Sequence, residues 1–152
     1  MSPKKDRSRP QKGATRTTVN TAEVAQFDRL GAGWWDENGP MAPLHRLNPV
    51  RIAYIEEKIL ALTGHKSLKG LRIADIGCGG GLATEALARR GALVTGIDAG
   101  AENIAVATAH AKAEKLKIDY RATTVEAVAS SGETFDAVTA LEIIEHVDDV
   151  PL

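Results

Sequence analysis

The stretch Leu71-Arg72-Ile73-Ala74-Asp75-Ile76-Gly77-Cys78-Gly79-Gly80-Gly81 is the most informative part of this 152-residue chain. Its first half is an apolar run that predicts a buried β-strand, and its second half is a glycine-rich turn. The segment from Leu82 to Arg90 then has the pattern of a helix that ends at Gly91. Glycines are expected in the turn because a side chain would hold a ligand away from the backbone, and because some turn positions need a positive φ.

A second apolar run, from Leu93 to Ile97, ends at Asp98. This carboxylate lies 21 positions after Gly77, about the spacing at which an acidic residue meets the ribose hydroxyls of a nucleotide. The alternative is an ordinary tight turn between strand and helix in any α/β protein. Because strand, glycines, helix and distal acid all agree, the pattern favours a βαβ unit that binds a nucleotide.

The positions of the glycines argue against a dinucleotide. A dinucleotide fingerprint that starts at Gly77 also needs glycine at position 82, where this chain has Leu82. The glycines fall instead at positions 77, 79, 80 and 81, and this variant resembles the S-adenosylmethionine (SAM) site of class I methyltransferases. SAM has no pyrophosphate that needs the third glycine, and its cationic group benefits from a nearby carboxylate such as Asp75.

Length and composition fit a single α/β domain. The chain is long enough for at most one domain, 43% of its residues are hydrophobic, and only 4% are aromatic. The net charge of −1 conceals a basic start, since positions 1–18 carry a net charge of +5 and the remaining residues one of −6. An acidic body argues against nucleic acid as the main partner.

Cysteine content and hydropathy bear on the cellular location. The single Cys78 excludes an internal disulfide and is typical of a reducing compartment. No apolar run approaches the roughly 18 residues that span a bilayer, and no signal-peptide core follows the basic start. The sequence therefore predicts a cytoplasmic protein.

Positions 1–18 are expected to be a disordered basic tail, and positions 19–152 to form the SAM-binding domain. The tail is rich in Pro, Ser, Thr and basic residues, so it cannot bury enough apolar surface to fold. Attraction of the tail to anionic lipid or nucleic acid is the alternative, although charge runs are usually only solvated.

A first helix is expected from Asn20 or Thr21, either of which can cap it, to about Leu30. Trp34-Trp35 follows, and two adjacent tryptophans are unusual in a chain so poor in aromatic residues. At least one of them is expected to pack this segment onto the core. The alternative is a lid or wall for an apolar, aromatic substrate.

A second helix is expected after a loop from Met41 to Leu47. Asn48-Pro49 has the pattern of a helix start, with Asn as the cap and Pro in the first helical position, and the helix continues to about Leu62. Arg51 lies in its first turn, where a cation opposes the helix dipole. Arg51 is therefore either solvated or paired with an anion, for which the carboxylate of SAM is a candidate.

Helices and strands continue to alternate after Asp98. The expected elements are a helix from Ala101 to Lys115 and strands from Lys117 to Arg121 and from Thr134 to Leu141. This alternation predicts an α/β fold with a Rossmann-like, doubly wound parallel sheet, whose ligand lies at the carboxyl ends of the strands.

The turn from Thr123 to Glu126 is expected beside the nucleotide crevice. Val125 and Glu126 are placed there to contact the cofactor, since backbone groups of this turn can read adenine. The alternative is an ordinary loop in which Glu126 caps the next helix. The sequence does not decide between the two.

Glu142, Glu145 and His146 follow the fourth strand as an E-x-x-E-H motif. If this segment is helical, the three side chains share one face. Two carboxylates and an imidazole can bind a divalent ion, or His146 can act as a general base. The alternative is that these residues cap and charge the start of a helix. Short acid and histidine clusters are common, so the spacing leaves all three open.

Taken together, these residues resemble the bacterial ubiquinone-biosynthesis O-methyltransferases, a family of class I SAM-dependent methyltransferases. The resemblance extends from about residue 20 to the end of the chain. Its most specific segments are Trp34-Trp35-Asp36 and Pro43-Leu44-His45-Arg46-Leu47-Asn48-Pro49-Val50-Arg51. The segments Ala74–Gly81, Thr95–Asp98 and Leu141–Val147 also belong to it.

The resemblance implies specific roles. It implies that four residues contact SAM, namely Arg51, Gly77, Asp98 and Leu141. The sequence pattern around the crevice adds four more cofactor-binding residues, namely Asp75, Gly79, Val125 and Glu126. It also implies that Glu142, Glu145 and His146 bind a divalent ion, with magnesium as the expected metal. Glu142 and His146 are then the expected catalytic residues.

The implied substrates are polyprenylated catechols, which are methylated on a phenolic hydroxyl at two steps of the pathway. A long prenyl chain lies in the bilayer, so contact with the inner membrane or with a ubiquinone-biosynthesis complex is also expected. Class I methyltransferases have seven strands, whereas four are visible here, and the sequence looks like the front half of such an enzyme. The alternatives are a non-catalytic SAM-binding fragment and an NAD(P)-dependent dehydrogenase, against which Leu82 counts.

Overall fold

The structure is a computed structural model that describes residue 17 and residues 19–28 and 31–143. Most of the tail expected at positions 1–18 lies outside the described residues, as do Glu145 and His146. The elements in chain order are α1 (Thr21–Asp28), a 3₁₀ helix (Gly31–Trp35), α2 (Ala42–Thr63), β1 (Arg72–Ile76), α3 (Leu82–Arg89), β2 (Leu93–Asp98), α4 (Ala101–Ala113), β3 (Asp119–Ala122), α5 (Val125–Ser130) and β4 (Ala137–Ala140).

The four strands form one parallel sheet in the order β3-β2-β1-β4. In this register Asp75 of β1 pairs with Gly96 of β2 on one side and with Thr139 of β4 on the other. The chain reverses its direction across the sheet at β1, because β2 and β3 lie on one side of it and β4 lies on the other. This is the switch point of an open α/β sheet, where ligands bind beyond the carboxyl ends of the strands.

Side chains alternate in direction along each strand, so apolar side chains stand on both faces of the sheet. Helices cover both faces. On one face Ile73 packs in a cluster with Ile52 of α2 and Leu87 of α3, and all three are fully buried. On the other face Ala74 and Ile97 pack against Val128 of α5. The predicted doubly wound α/β fold is confirmed.

The start of α1 agrees with the sequence pattern. The backbone N–H groups of Ala22 and Glu23 donate to Asn20 Oδ1 over 3.0 and 3.1 Å, so Asn20 is the cap. The described part of α1 extends to Asp28, and the expected end at about Leu30 lies outside the described residues. Within the described ranges, no helix combines the length and the apolar character needed to cross a bilayer.

The predicted start of α2 is wrong. The helix begins at Ala42, so the expected loop from Met41 to Leu47 is mostly helical, and Pro49 lies inside the helix. The proline that favours this start is Pro43, which occupies the first turn, where a missing N–H costs no hydrogen bond.

Asn48 therefore does not cap the helix. Its Nδ2 donates to the carbonyl of Leu82 at the start of α3, over 3.1 Å, and its Oδ1 accepts from Arg51 Nη2 over 3.2 Å. Pro49 removes one backbone hydrogen bond from α2, but Ile52 and Ile59 further along the helix are buried in the core. Tertiary packing outweighs the local signal for a helix start at this point.

Candidate ligand-binding site

A crevice of about 370 Å³ lies at the carboxyl ends of β1, β2 and β4, a volume typical of small-molecule sites. The amino-terminal segment forms part of its wall through Val19, Val24 and Trp34. Most of the residues predicted to bind a cofactor line the crevice, namely Arg51, Asp75, Gly77, Gly79, Asp98, Val125 and Leu141. Glu142 also lines it, whereas Glu126 does not.

The glycine turn follows β1 and opens α3. Gly77 has a φ of +67° and Gly79 one of +54°, so the predicted need for positive φ is confirmed. A Cβ at Gly77 would overlap with Ile143, and a Cβ at Gly79 would lie 2.5 Å from the ring of Trp34. The chain's own side chains therefore occupy the space that these glycines leave.

Asp98 at the end of β2 holds this turn in place. Its Oδ2 accepts a hydrogen bond from the N–H of Gly79 over 2.9 Å. Its Oδ1 accepts from the N–H of Gly100 over 2.7 Å and, more weakly, from Asn103 Nδ2 over 3.4 Å. A carboxylate offers about four acceptor positions, so these three bonds leave capacity for a ligand hydroxyl in the crevice.

Asp75 joins three elements. It is buried, and its two oxygens accept hydrogen bonds of 2.7 Å from Thr84 of α3 and Thr139 of β4. Burial raises the pKa of the Asp75 carboxyl, and the two hydroxyl donors and the charge of Arg51 act in the opposite direction. Asp75 thus ties the sheet to α3 while it also lines the crevice.

Arg51 reaches the crevice from α2. Its Nη1 lies 3.4 Å from Glu142 Oε1, and its Nη2 donates to Asn48. Its Nε is buried and has no hydrogen-bond partner among the described residues. Because an orphaned N–H of a cation is costly, the site fits an anionic group of a ligand at this point.

Glu142 follows β4 in an unusual backbone conformation. Its φ is +53°, a region that residues other than glycine rarely adopt and in which residues of functional sites are enriched. Its side chain is 53% exposed. Glu145 and His146, the other two residues of the E-x-x-E-H motif, lie outside the described residues, so the role of the motif stays a prediction.

A metal site is not formed by the described residues alone. In the ranges that the structure covers, no three His, Cys, Asp or Glu side chains come together closely enough to hold an ion. Glu142, the one predicted ligand within them, faces the guanidinium of Arg51 instead. The magnesium site at Glu142, Glu145 and His146 stays a prediction.

The two tryptophans pack on the glycine turn. Trp34 is 7% exposed and covers Gly79 and Gly80. Trp35 donates from Nε1 to the carbonyl of Gly80 over 3.0 Å and stacks on His110 of α4, with the ring centroids 3.5 Å apart. The expectation that at least one of them packs this segment onto the core is confirmed.

Asn103 and His110, the partners of these tryptophans in α4, have no signal in the sequence. Asn103 Oδ1 accepts from Trp34 Nε1 over 2.9 Å, and Asn103 is 2% exposed. His110 Nδ1 lies 2.8 Å from Glu85 Oε1. A polar residue in an alanine-rich helix is normally solvent-exposed, so only the three-dimensional arrangement identifies these two.

The turn before α5 lies at the edge of the crevice. The N–H of Thr123 donates to the carbonyl of Asp98 over 2.9 Å, and Thr123, Thr124 and Val125 line the crevice. Thr124 caps α5 by accepting from the N–H of Ala127 over 3.2 Å. The alternative in which Glu126 caps this helix is therefore wrong. The contact of Glu126 with a cofactor stays a prediction.

A family model described as a methyltransferase domain matches residues 74–152, about half of the chain. Two curated relatives are named ubiquinone biosynthesis O-methyltransferase. The relative from Brucella ovis is 52% identical over 142 residues, which are 90% of this chain and 57% of that protein. The relative from Azorhizobium caulinodans is 51% identical over 140 residues, 89% of this chain and 55% of that protein. The chain thus spans a little over half the length of these relatives.

Solved structures share the fold. Magnesium protoporphyrin IX methyltransferase from Synechocystis, crystallised with SAM, matches with a TM-score of 0.58 at 19% identity, over 87% of this chain and 66% of that one. Monomeric WbdD matches with the same TM-score of 0.58 at 26% identity, over 75% of this chain and 27% of that one. These likenesses agree with the parallel sheet and its crevice.

Proposed function

This chain belongs to the methyltransferase-domain family, and on that premise we propose that its crevice binds SAM and that the protein methylates a phenolic hydroxyl of polyprenylated catechols in ubiquinone biosynthesis. The observation that carries the SAM site is one crevice lined by both Arg51 and Asp98. The orphaned Nε of Arg51 suits the carboxylate of the amino-acid part, and the acceptor capacity of Asp98 suits the ribose hydroxyls.

The names of the relatives support the substrate class. Proteins about half identical to this chain carry the name ubiquinone biosynthesis O-methyltransferase. The matched region contains Trp34-Trp35-Asp36 and the segment from Pro43 to Arg51, which lie outside the matched family model. In the structure both segments build the crevice, through Trp34 on the glycine turn and Arg51 in the wall.

The proposed chemistry is a transfer that depends mainly on orientation. SAM supplies an electrophilic methyl group when bound. Arg51 binds the carboxylate, the glycine turn holds the backbone of the site, and Asp98 binds the sugar, so that the donor is fixed at several points. The phenol of a catechol has an ordinary pKa near 10, so its proton must be removed or its oxygen stabilised.

Glu142 and His146 are the proposed catalytic residues at this step. Glu142 lies at the tip of β4 in the crevice wall. His146 is proposed as the group that takes the phenolic proton. If Glu142, Glu145 and His146 hold magnesium, the ion stabilises negative charge on the catechol oxygens.

A lipid-tailed substrate also places the enzyme at a membrane surface. We propose peripheral contact with the inner membrane, either directly or through a ubiquinone-biosynthesis complex. The tail at positions 1–18, with its net charge of +5, would contribute attraction to anionic lipid.

Two measurements test the proposal. In the first, the 152-residue chain is titrated with SAM, S-adenosylhomocysteine and NAD by calorimetry. We expect binding of the first two ligands and none of NAD. Binding of NAD without SAM would favour the dehydrogenase alternative and end the proposal.

In the second, methyl transfer to short-chain prenyl catechols is assayed with this chain and with a chain of the relatives' length, with magnesium or with a chelator. Turnover by the longer chain alone would assign SAM binding to this chain and catalysis to the complete protein. Glu142→Gln should lower turnover without loss of SAM binding. Unchanged turnover of this variant with and without chelator would remove the metal role.

A further inference from the structure

Three residues form a relay of hydrogen bonds from the amino-terminal segment to the crevice. Trp34 Nε1 donates to Asn103 Oδ1 over 2.9 Å, and Asn103 Nδ2 donates to Asp98 Oδ1 over 3.4 Å. Trp34 is 7% and Asn103 2% exposed, so water does not compete freely for these groups. The relay spans 69 positions of sequence between Trp34 and Asn103.

The indole determines which way the amide of Asn103 points. An indole N–H can only donate, and a carboxylate can only accept, whereas an amide does both. With its oxygen directed to Trp34, Asn103 must present its NH₂ group to Asp98. If the amide turned over, its oxygen would face the carboxylate oxygen of Asp98, and both contacts would become repulsive.

Trp34 itself is fixed by independent contacts. Its ring lies against Gly79 and Gly80, and its backbone carbonyl contacts His45 Nε2 over 2.9 Å. Asp98 in turn accepts from the N–H of Gly79 with its other oxygen. The orientation of the Asp98 carboxylate therefore depends both on the glycine turn and, through Asn103, on Trp34.

We infer that Trp34 is a positioning residue for nucleoside binding: through Asn103 it orients the carboxylate of Asp98 toward the ribose hydroxyls. This inference rests on the proposed function, because that function places the ribose at Asp98. It assigns to Trp34 a role in affinity for the methyl donor and not in contact with the phenolic substrate.

The neighbouring tryptophan provides a matched control. Trp35 also donates from its indole, but to the carbonyl of Gly80, and its ring stacks on His110. Neither of these two contacts involves Asp98. Trp34→Phe and Trp35→Phe each remove one indole N–H and keep an aromatic ring, but only Trp34→Phe breaks the relay. Because Trp34 also lines the crevice, a second ligand without ribose hydroxyls is needed to separate the relay from a change in the wall.

The test is the affinity of the 152-residue chain for S-adenosylhomocysteine and for its 2′,3′-dideoxy analogue. For Trp34→Phe we expect the Kd for S-adenosylhomocysteine to rise about fivefold to tenfold, the range of one lost hydrogen bond. For Trp35→Phe we expect a change below about twofold. The effect of Trp34→Phe should fall below about twofold with the dideoxy analogue, because that ligand offers Asp98 no hydroxyl. An equal loss for both ligands would indicate a general structural role and overturn the inference.

Asn103→Ala breaks the same relay and is the second test if the thermal melt shows that Trp34→Phe folds poorly. This variant should weaken S-adenosylhomocysteine binding selectively as well, and the double variant should be no weaker than Asn103→Ala alone. Full additivity of the two losses would contradict a relay. If the unmodified chain does not bind S-adenosylhomocysteine, the proposed function fails; if it binds but shows no ribose selectivity in these variants, only the relay fails.

Discussion

The guanidinium of Arg51 and the carboxylate of Glu142 lie 3.4 Å apart in the wall of the crevice, although 91 positions separate them in the chain. The pair connects α2 to the tip of β4. Arg51 is largely buried while Glu142 is half exposed, so a ligand carboxylate can replace Glu142 without leaving a buried anion behind. The Nε of Arg51, to which no group in the described part of the chain is hydrogen-bonded, adds a second donor for such a ligand.

Arg51→Lys should weaken the binding of SAM about tenfold or more, because an ammonium cannot supply the planar pair of donors that a carboxylate accepts. Isothermal titration calorimetry measures the affinity. Arg46→Lys is the control, since Arg46 lies in the same helix, is exposed and donates from Nε to the carbonyl of Ala42 in that helix. Equal affinities of the two variants would remove Arg51 from the carboxylate site.

Asp98→Asn should weaken S-adenosylhomocysteine about tenfold or more, because an amide has one acceptor oxygen where the carboxylate has two. It should also lower the free energy of unfolding by about 1–2 kcal/mol, since the N–H of Gly79 or Gly100 loses its acceptor.

Asp119→Asn is the matched control for this prediction. Asp119 begins β3, is exposed and pairs with Arg121 at the opposite end of the strands from the crevice. This variant should leave ligand affinity unchanged and alter stability by less than about 1 kcal/mol. A comparable loss of affinity in both variants would show that charge alone, and not the site, is responsible.

The stability of the protein should depend on pH through Asp75. Burial raises the pKa of this carboxyl above its ordinary value of 3.8, so the folded protein keeps the proton to a higher pH than the unfolded chain. Where the folded state binds more protons, the free energy of unfolding falls as pH rises. The fall begins near the unfolded pKa, at about pH 4, and is complete above the raised pKa of the folded state.

Asp75→Asn should reduce this fall, because the amide cannot ionise and still bonds to both hydroxyls of Thr84 and Thr139. Urea unfolding at pH values from about 4 to 8 measures the slope. Asp119→Asn again serves as the exposed control. Identical slopes for the Asp75→Asn variant and the unmodified chain would contradict the prediction.

Gly81→Ala should destabilise the fold by about 3 kcal/mol. Its φ is +94°, and a Cβ would overlap with the hydroxyl of Tyr120. Gly132→Ala is the control, because Gly132 has a φ of +75° but open space around it, and only the backbone cost of about 1 kcal/mol applies. Chemical denaturation measures both free energies of unfolding.

Tyr120→Phe should partly rescue Gly81→Ala. Among the described residues the buried hydroxyl of Tyr120 has no hydrogen bond of good geometry and interacts only weakly with Thr84, so its removal alone should change the free energy of unfolding by less than about 1 kcal/mol. In the double variant about 1 kcal/mol of the loss should be recovered, since the overlapping atom is gone. Purely additive effects would show that the strain lies in the backbone and not in this overlap.

The centre of the fold could be predicted from sequence because its signals are local. An apolar run, a glycine turn and an amphipathic helix follow one another within about twenty residues, so one short window of sequence shows all three. The same holds for Asp98, whose position after β2 follows from the topology of the βαβ unit.

The boundaries of α2 could not be predicted in this way. Asn48-Pro49 is a strong local signal for a helix start, but Pro43 provides an equally good one, and buried contacts decide between them. Asn48 instead bonds to the carbonyl of Leu82 in α3, a contact over 34 positions of sequence. No local pattern encodes such a partner.

The relay from Trp34 to Asp98 could likewise not be predicted from the sequence. Asn103 occupies the first turn of α4 and is one of several polar residues in that helix. Its burial depends on a tryptophan from a distant segment, which lies on the glycine turn only after the sheet has formed. Side chains that act through long-range contacts have no periodicity of their own.

The separation between Trp34 and Asn103 has a consequence for the order of folding during synthesis on the ribosome. The helices and strands from β1 to β3 make contacts between near neighbours in the chain, whereas Trp34 must wait for α4 and Arg51 for the end of β4. Closing such long loops costs entropy before any contact is gained. We therefore expect the first strands to pair before the amino-terminal segment docks, so that protease resistance near Trp34 appears only after Asn103 has left the exit tunnel.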